Sequence, residues 1–342
     1  MLAINKLKRS QIALSEIGFG GAPIGNLYQS LDNTNALHCI STALANGINY
    51  FDTAPLYGHG LSERRIGLAL NESERESWCI SSKVGRLLKP CAIGDSADAG
   101  LYQQAPPFNA NYDYSYDGAW RSVEQSLQRL GCNYLDIVYI HDIDYWTHGT
   151  EQARVYSAAL NGTNKALLEM REQGLIKAFG LGVNEWQVCE QFLADSDPDC
   201  FLLAGRYTLL EQEALESFLP ACEQRAVDII IGGPYNTGIL ATGAIAGAYY
   251  NYSPATEEIL AKVRAMEAIC NDFSVSLAAA ALRFPLLHPA VASVIPGARS
   301  AKEVESNLSL IQADIPPEFW DTLKDKGLLH RDAPTQYRET LA

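Results

Sequence analysis

Short apolar runs alternate along the chain with longer stretches of helical period. The runs fall at 17–22, 49–53, 78–83, 135–141, 177–183, 200–204, 227–231 and 291–295. Segments of period near 3.6 follow them at 33–46, 63–70, 119–130, 151–173, a stretch ending at 194, 214–226, the pair 257–271 and 276–284, and 301–311. Ser62 is placed to cap one helix, and Gly47 closes another. Strands that are apolar throughout, rather than every second residue, are buried on both faces, as in a parallel sheet covered by helices. Eight such units predict a closed (β/α)8 barrel. A doubly wound sheet would want a G-x-G-x-x-G turn in its first unit, and Gly18-Phe-Gly-Gly does not supply it. Residues 4–16 alternate weakly and predict a short hairpin ahead of the barrel.

Two stretches, 85–118 and 142–150, show no period. The first carries Tyr102, Phe108, Tyr112, Tyr114 and Tyr116. A long aperiodic segment in a compact unit is functional or disordered, and these aromatics favour function. The chain has 342 residues, enough for two domains of about 150 each, though α/β barrels exceed that as one. No linker-like composition break appears. The expectation is one domain over 1–342, with its core at 17–312 and a tail at 313–342.

Composition narrows the partners. A formal charge of −14 argues against nucleic acid and anionic membrane surfaces. No apolar run approaches the length needed to span a bilayer, and the first residues have no signal-peptide core. Eight cysteines lie scattered without a C-x-x-C pair, as expected of reduced thiols in a cytoplasmic protein. The reading assigns no metal. It leaves the oligomeric state as monomer or small homo-oligomer.

The candidate chemistry sits at strand ends. Asp52 ends the second apolar run and Tyr57 lies in the loop after it; Lys83 ends the third and His141 the fourth. The C-terminal face of such a barrel is where active sites form. A phenol of pKa about 10 is a poor proton carrier at neutral pH unless a cation sits beside it. Lys83 is expected to lower the pKa of Tyr57, Asp52 to hold the ammonium charged, and His141 to orient a substrate oxygen. Taken alone, Asp52 with Lys83 reads more readily as a structural ion pair, and a lone His141 as a satisfied core histidine. The four together outweigh those readings. His59 and His148 have no such partners and read as loop residues, with a substrate contact as the alternative.

These residues lie in longer motifs: Phe51-Asp-Thr-Ala-x-x-Tyr57-Gly, Ser82-Lys83-Val, Leu130-Gly-x-x-Tyr-Leu-Asp-Ile-Val-Tyr-Ile-His141, Gly180-x-Gly-Val-Asn184 and Ile295-Pro-Gly-Ala. Through them the sequence resembles the aldo-keto reductases over nearly its whole length. Gly232-Gly-Pro-Tyr-Asn-Thr-Gly238 and Gly205-Arg-Tyr-Thr-Leu-Leu210 are similar to those of bacterial aldose 1-dehydrogenases acting on L-fucose or D-threo-aldoses, and of plant L-galactose dehydrogenases. The resemblance implies a nicotinamide cofactor extended across the barrel mouth, and Asp52, Tyr57, Lys83 and His141 as the catalytic set. It further implies Gly21, Ala22, Asp52 and Asn184 as cofactor contacts, with Asn184 on the carboxamide. Gly233, Pro234, Tyr235, Asn236, Gly238 and Leu240 would then hold the pyrophosphate, and Gly297, Arg299, Glu303 and Asn307 the adenosine. Two positions depart from the usual pattern: Ala204 stands where many members have glutamine, and Gly232 where many stack a tyrosine. Arg299 reads equally as a solvated charge.

The expected activity is oxidation at C1 of an aldose to a lactone, with a small-molecule sugar or aldehyde as partner. An NADPH-dependent aldehyde or ketone reductase is the first alternative. A redox-sensing regulatory subunit is the second, against which the complete catalytic set and the lack of an added extension speak. In NADP-selective relatives a basic residue lies four positions before the helix asparagine. Here that position is Glu303, whose carboxylate repels a 2′-phosphate, so NAD is expected over NADP.

Overall fold

The computed structural model describes residues 2–336. Eight parallel strands form one sheet in chain order: Phe19–Gly20, Tyr50–Asp52, Cys79–Val84, Leu135–His141, Ile176–Val183, Cys200–Ala204, Asp228–Gly232 and Val291–Ile295. Isolated parallel bridges Ile17↔Val294 and Gly20↔Gly297 join the first strand to the last. The sheet therefore closes into the expected (β/α)8 barrel. Its strands are buried almost throughout because helices cover their outer faces, which is why they read as apolar runs.

The predicted amino-terminal hairpin is present, with Ile4–Lys6 antiparallel to Ala13–Ser15. Its Leu7, Ile12 and Leu14 pack with Tyr50, Ile137, Tyr139 and Leu202 and close the bottom of the barrel. Lys8 pairs there with Asp228 at 3.2 Å. The opposite end, where the strands finish, is left open for a site.

Ser62 does not cap the second helix, Leu61–Leu70: Gly60 is its N-cap, and the Ser62 hydroxyl donates to Gly21 O at 2.8 Å. Three longer stretches also differ from the sequence expectation. The segment 85–118 is not structureless. Arg86–Pro90 pairs antiparallel with Phe108–Tyr112, and a helix begins at Tyr116, capped by Ser115, whose hydroxyl accepts from Gly118 N at 3.0 Å. Most of Phe108–Tyr112 is exposed, so it lacks the alternation that marks a half-buried strand. Within 142–150, Tyr145–His148 forms a short helix capped by Asp144. The expected long helix at 151–173 is broken: Gln152–Ala158 and Asn164–Glu172 flank a π-turn at Ala159–Thr163. At the break the helix passes close to its neighbour, and a Cβ on Gly162 would lie 2.9 Å from both Tyr114 O and Tyr116 N. The wide turn lets Thr163 Oγ1 donate to Tyr114 O at 2.7 Å.

In the tail, Pro317–Asp325 is helical and buries Phe319, Trp320 and Leu323; the last six residues of the expected tail lie outside the described residues. Among the described residues no single helix is long and apolar enough to cross a membrane.

Candidate active site

The barrel brings Asp52, Tyr57, Lys83 and His141 together at its open end. Each of the three strand-end residues follows an inward-facing position two before it, so period-2 geometry points all three into the barrel mouth. Lys83 Nζ donates to Asp52 Oδ1 at 2.9 Å, Asp52 Oδ2 at 2.7 Å and Thr53 O at 2.8 Å. Both side chains of the ion pair are buried. The ammonium also lies 4.6 Å from the Tyr57 ring centroid. His141 meets that ring edge-on, with 6.1 Å between centroids.

This geometry corrects one expectation. Burial raises the Tyr57 phenol well above its usual range, reinforced by the Asp52 carboxylate and by Tyr102, Tyr252 and Asp142. An ammonium has three N–H donors, and here Asp52 and Thr53 occupy all three. Lys83 meets Tyr57 through the ring face, so its charge acts on the phenol only through space, with no N–H on the phenol oxygen. Burial also raises Asp52 and lowers Lys83, each opposed by its partner. His141 is pushed well below its ordinary value by burial, then by Arg86 and Lys83, and is neutral at pH 7.

A second buried network braces His141. Arg86 Nη2 donates to Asp142 Oδ2 at 2.8 Å and to Tyr112 Oη at 3.0 Å. Tyr114 Oη donates to His141 O at 2.8 Å, and His148 Nε2 donates to Asp142 O at 2.8 Å. The 86–112 hairpin therefore locks the end of the fourth strand. Sequence reasoning missed Arg86 and Asp142. Their signal was a charge one or two residues beyond each of two strand ends. His148 belongs to this network, and His59 hydrogen-bonds Phe108 O, so both act on the hairpin.

A cleft of about 590 Å³ runs from Asp52 and Tyr57 across the mouth to Arg299 and Asn307. It is lined by Gly21, Ala22, Asn184, Gly233, Pro234, Tyr235, Asn236, Gly238, Gly297 and Glu303. Leu240 departs from its expected place. Its side chain is fully buried, and its amide is bound by Tyr235 O at 3.1 Å. Ala204 and Gly232, opposite each other in register, also line the cleft. Glu303 Oε2 accepts from Arg299 N at 2.9 Å, and Ser300 caps the same helix. Tyr235 Oη donates to Asn307 Oδ1 at 2.7 Å.

The residues fit an extended dinucleotide. Gly238 takes a φ of 102°, and a Cβ there would meet nothing within 4 Å, so bare backbone is exposed where the chain turns. Asn236 is buried with its Nδ2 bound to Gly205 O, yet its Oδ1 has no partner. A buried acceptor left open costs free energy unless a ligand donor fills it.

Comparison with known proteins accords with this geometry. The profile of the Aldo/keto reductase family matches residues 16–327. The chain belongs to the aldo/keto reductase family. Its members use nicotinamide cofactors and act on small molecules. The sequence is 40% identical to a pyridoxal 4-dehydrogenase of Microbacterium luteolum over 333 residues, covering 94% of this chain and 97% of that protein. It is 32% identical to a D-threo-aldose 1-dehydrogenase of Pseudomonas sp, covering 93% and 95%. An aldo-keto reductase of Bacillus halodurans in its holo form has the same fold, with a TM-score of 0.74, 24% identity and 99% coverage of each chain.

Proposed function

We propose that this aldo-keto reductase is an NAD-preferring dehydrogenase of cyclic hemiacetals that releases a lactone. The observation that carries the reading is the buried Lys83–Asp52 pair set against the face of Tyr57 at the end of the cleft. Tyr57 takes the proton of the hemiacetal hydroxyl. His141, neutral, donates a hydrogen bond to the same oxygen and orients it. Lys83 and Asp52 fix the ring of Tyr57 and supply a local field. The bound cofactor supplies the hydride acceptor. The side chains of Asn184 and Asn236 would hold its nicotinamide end, and the backbone of Gly233 to Gly238 its pyrophosphate. The Glu303 carboxylate, fixed at the far wall by Arg299 N, disfavours a 2′-phosphate.

An aldose at C1, of the L-fucose, L-galactose or D-threo type, presents the hemiacetal group. So does pyridoxal, whose aldehyde closes on its neighbouring hydroxymethyl group. The cleft walls favour the flat ring. Tyr28, Tyr57 and Tyr252 line the cleft, and Tyr102 stacks on Tyr57 with 6.2 Å between centroids. Aromatic faces stack well on a planar heterocycle. The 40% identical pyridoxal 4-dehydrogenase supports the same choice, and the 32% identical aldose enzyme supports the sugar. The test is kcat/KM for pyridoxal and for a panel of aldoses with NAD and with NADP, with the product identified by NMR. Lactone from pyridoxal at ten times the efficiency of any aldose is the expected result. A reversed order would return the assignment to the sugars, and no lactone from either would refute it.

A further inference from the structure

Beneath the candidate catalytic residues lies a second layer on the same three strands. Tyr50, Ser81 and Tyr139 each precede Asp52, Lys83 and His141 by two residues, so they point into the barrel one layer down. Register sets Asp52 opposite Ser81 and Lys83 opposite Tyr139. All three lower residues are fully buried. Barrel interiors are ordinarily filled by branched aliphatic side chains, and buried hydroxyls cost free energy unless each finds a partner. Here each does. Ser81 Oγ lies 2.7 Å from Asp52 Oδ1 and 2.9 Å from Tyr50 Oη; Tyr50 Oη lies 3.2 Å from Tyr139 Oη; Tyr139 Oη lies 3.7 Å from Cys200 Sγ.

The direction of this chain follows from its end. An ionised carboxylate only accepts, so Ser81 donates to Asp52. Ser81 must then accept from Tyr50, Tyr50 from Tyr139, and Tyr139 from the Cys200 thiol. Four donors in series point at one carboxylate. Asp52 Oδ1 consequently receives two hydrogen bonds, from Ser81 and Lys83, and Oδ2 receives one. Such oriented chains polarise their members in the same sense.

We infer that Ser81, backed by Tyr50 and Tyr139, is a positioning residue that keeps Asp52 ionised and its carboxylate turned toward Lys83. This rests on the proposed roles of Asp52, Lys83 and Tyr57. The groups that face Asp52 are Lys83 and Tyr57 on the mouth side and Tyr50 and Tyr139 below, while His141, Asp142 and Glu63 act on Lys83. Lys83, together with the Ser81 hydroxyl, opposes the burial that disfavours the Asp52 charge. Removing the hydroxyl removes a donor to the charged form, so Asp52 binds its proton at higher pH.

The test uses the full-length enzyme with Ser81→Ala, Ser81→Thr and Tyr139→Phe, assayed against pH in the reductive direction, beside Tyr57→Phe. Ser81→Ala is expected to lower kcat at least tenfold, leave cofactor KM within twofold and move the acid limb of the kcat profile to higher pH. Ser81→Thr is expected to restore both, and Tyr139→Phe to shift the limb the same way by less. A Ser81→Ala enzyme with kcat within twofold, or with lower kcat but an unmoved limb, would overturn the inference. Turnover retained by Tyr57→Phe would instead overturn the reading of the site itself. Loss in Tyr57→Phe with no shift in Ser81→Ala refutes only the inference drawn from the lower layer.

Discussion

Tyr57 is a neutral phenol, held so by burial and by the nearby Asp52 carboxylate. A group that must accept a proton works only as its deprotonated form becomes populated. Oxidative kcat/KM is therefore expected to rise steadily from pH 7 to pH 9.5. A flat profile would mean that Tyr57 is not the base. His141 is displaced downward, so no inflection near its ordinary value of about 6.5 is expected; one there would show an exposed, protonating imidazole. Lys83→Met tests the ion pair. It strands a buried carboxylate, a change that costs about 3–5 kcal/mol, so Tm falls and the residual activity moves to higher pH. Asp52→Asn added to Lys83→Met should recover Tm without activity. A single Lys83→Met variant with unchanged Tm and pH profile would contradict both roles given to the lysine.

At the scale of elements, the 86–112 hairpin braces the fourth strand while the loop at its tip reaches the cleft. Tyr28 N donates to Leu101 O at 2.9 Å and Asn26 Nδ2 to Gln103 O at 3.0 Å, which places Tyr102 against Tyr57. Tyr102→Ala is expected to raise substrate KM at least fivefold and leave cofactor affinity within twofold. A change in cofactor affinity alone would assign the loop to the cofactor. Glu303 lies in the first turn of Ala301–Ile311 and also binds Arg299 N. Glu303→Arg should shift kcat/KM toward NADP by tenfold or more; no shift, or a wild type already preferring NADP tenfold, would remove Glu303 as the ribose reader. The barrel strands were legible because burial on both faces leaves continuous apolar runs. The hairpin was not, because Asn109, Asn111 and Tyr112 face solvent and carry no period. Asp52, Lys83 and His141 were legible as polar groups ending apolar runs. Arg86 and Asp142, just beyond those strands, could be placed only once the hairpin folded back over the fourth strand.

At the scale of the molecule, the amino-terminal hairpin closes one end of the barrel and the cleft opens at the other. Substrate, cofactor and proton must all enter from one side. The account stands on hydride and proton leaving the same hemiacetal carbon and hydroxyl at Tyr57. The most direct measurement starts from pyridoxal or aldose deuterated at the hemiacetal carbon and follows the label through a single turnover with NAD. The account predicts deuterium on the reduced nicotinamide in equal amount to lactone formed, and at least hundredfold slower transfer in Tyr57→Phe although that variant still binds cofactor. Label absent from the nicotinamide, or transfer by Tyr57→Phe within tenfold of wild type, would contradict it.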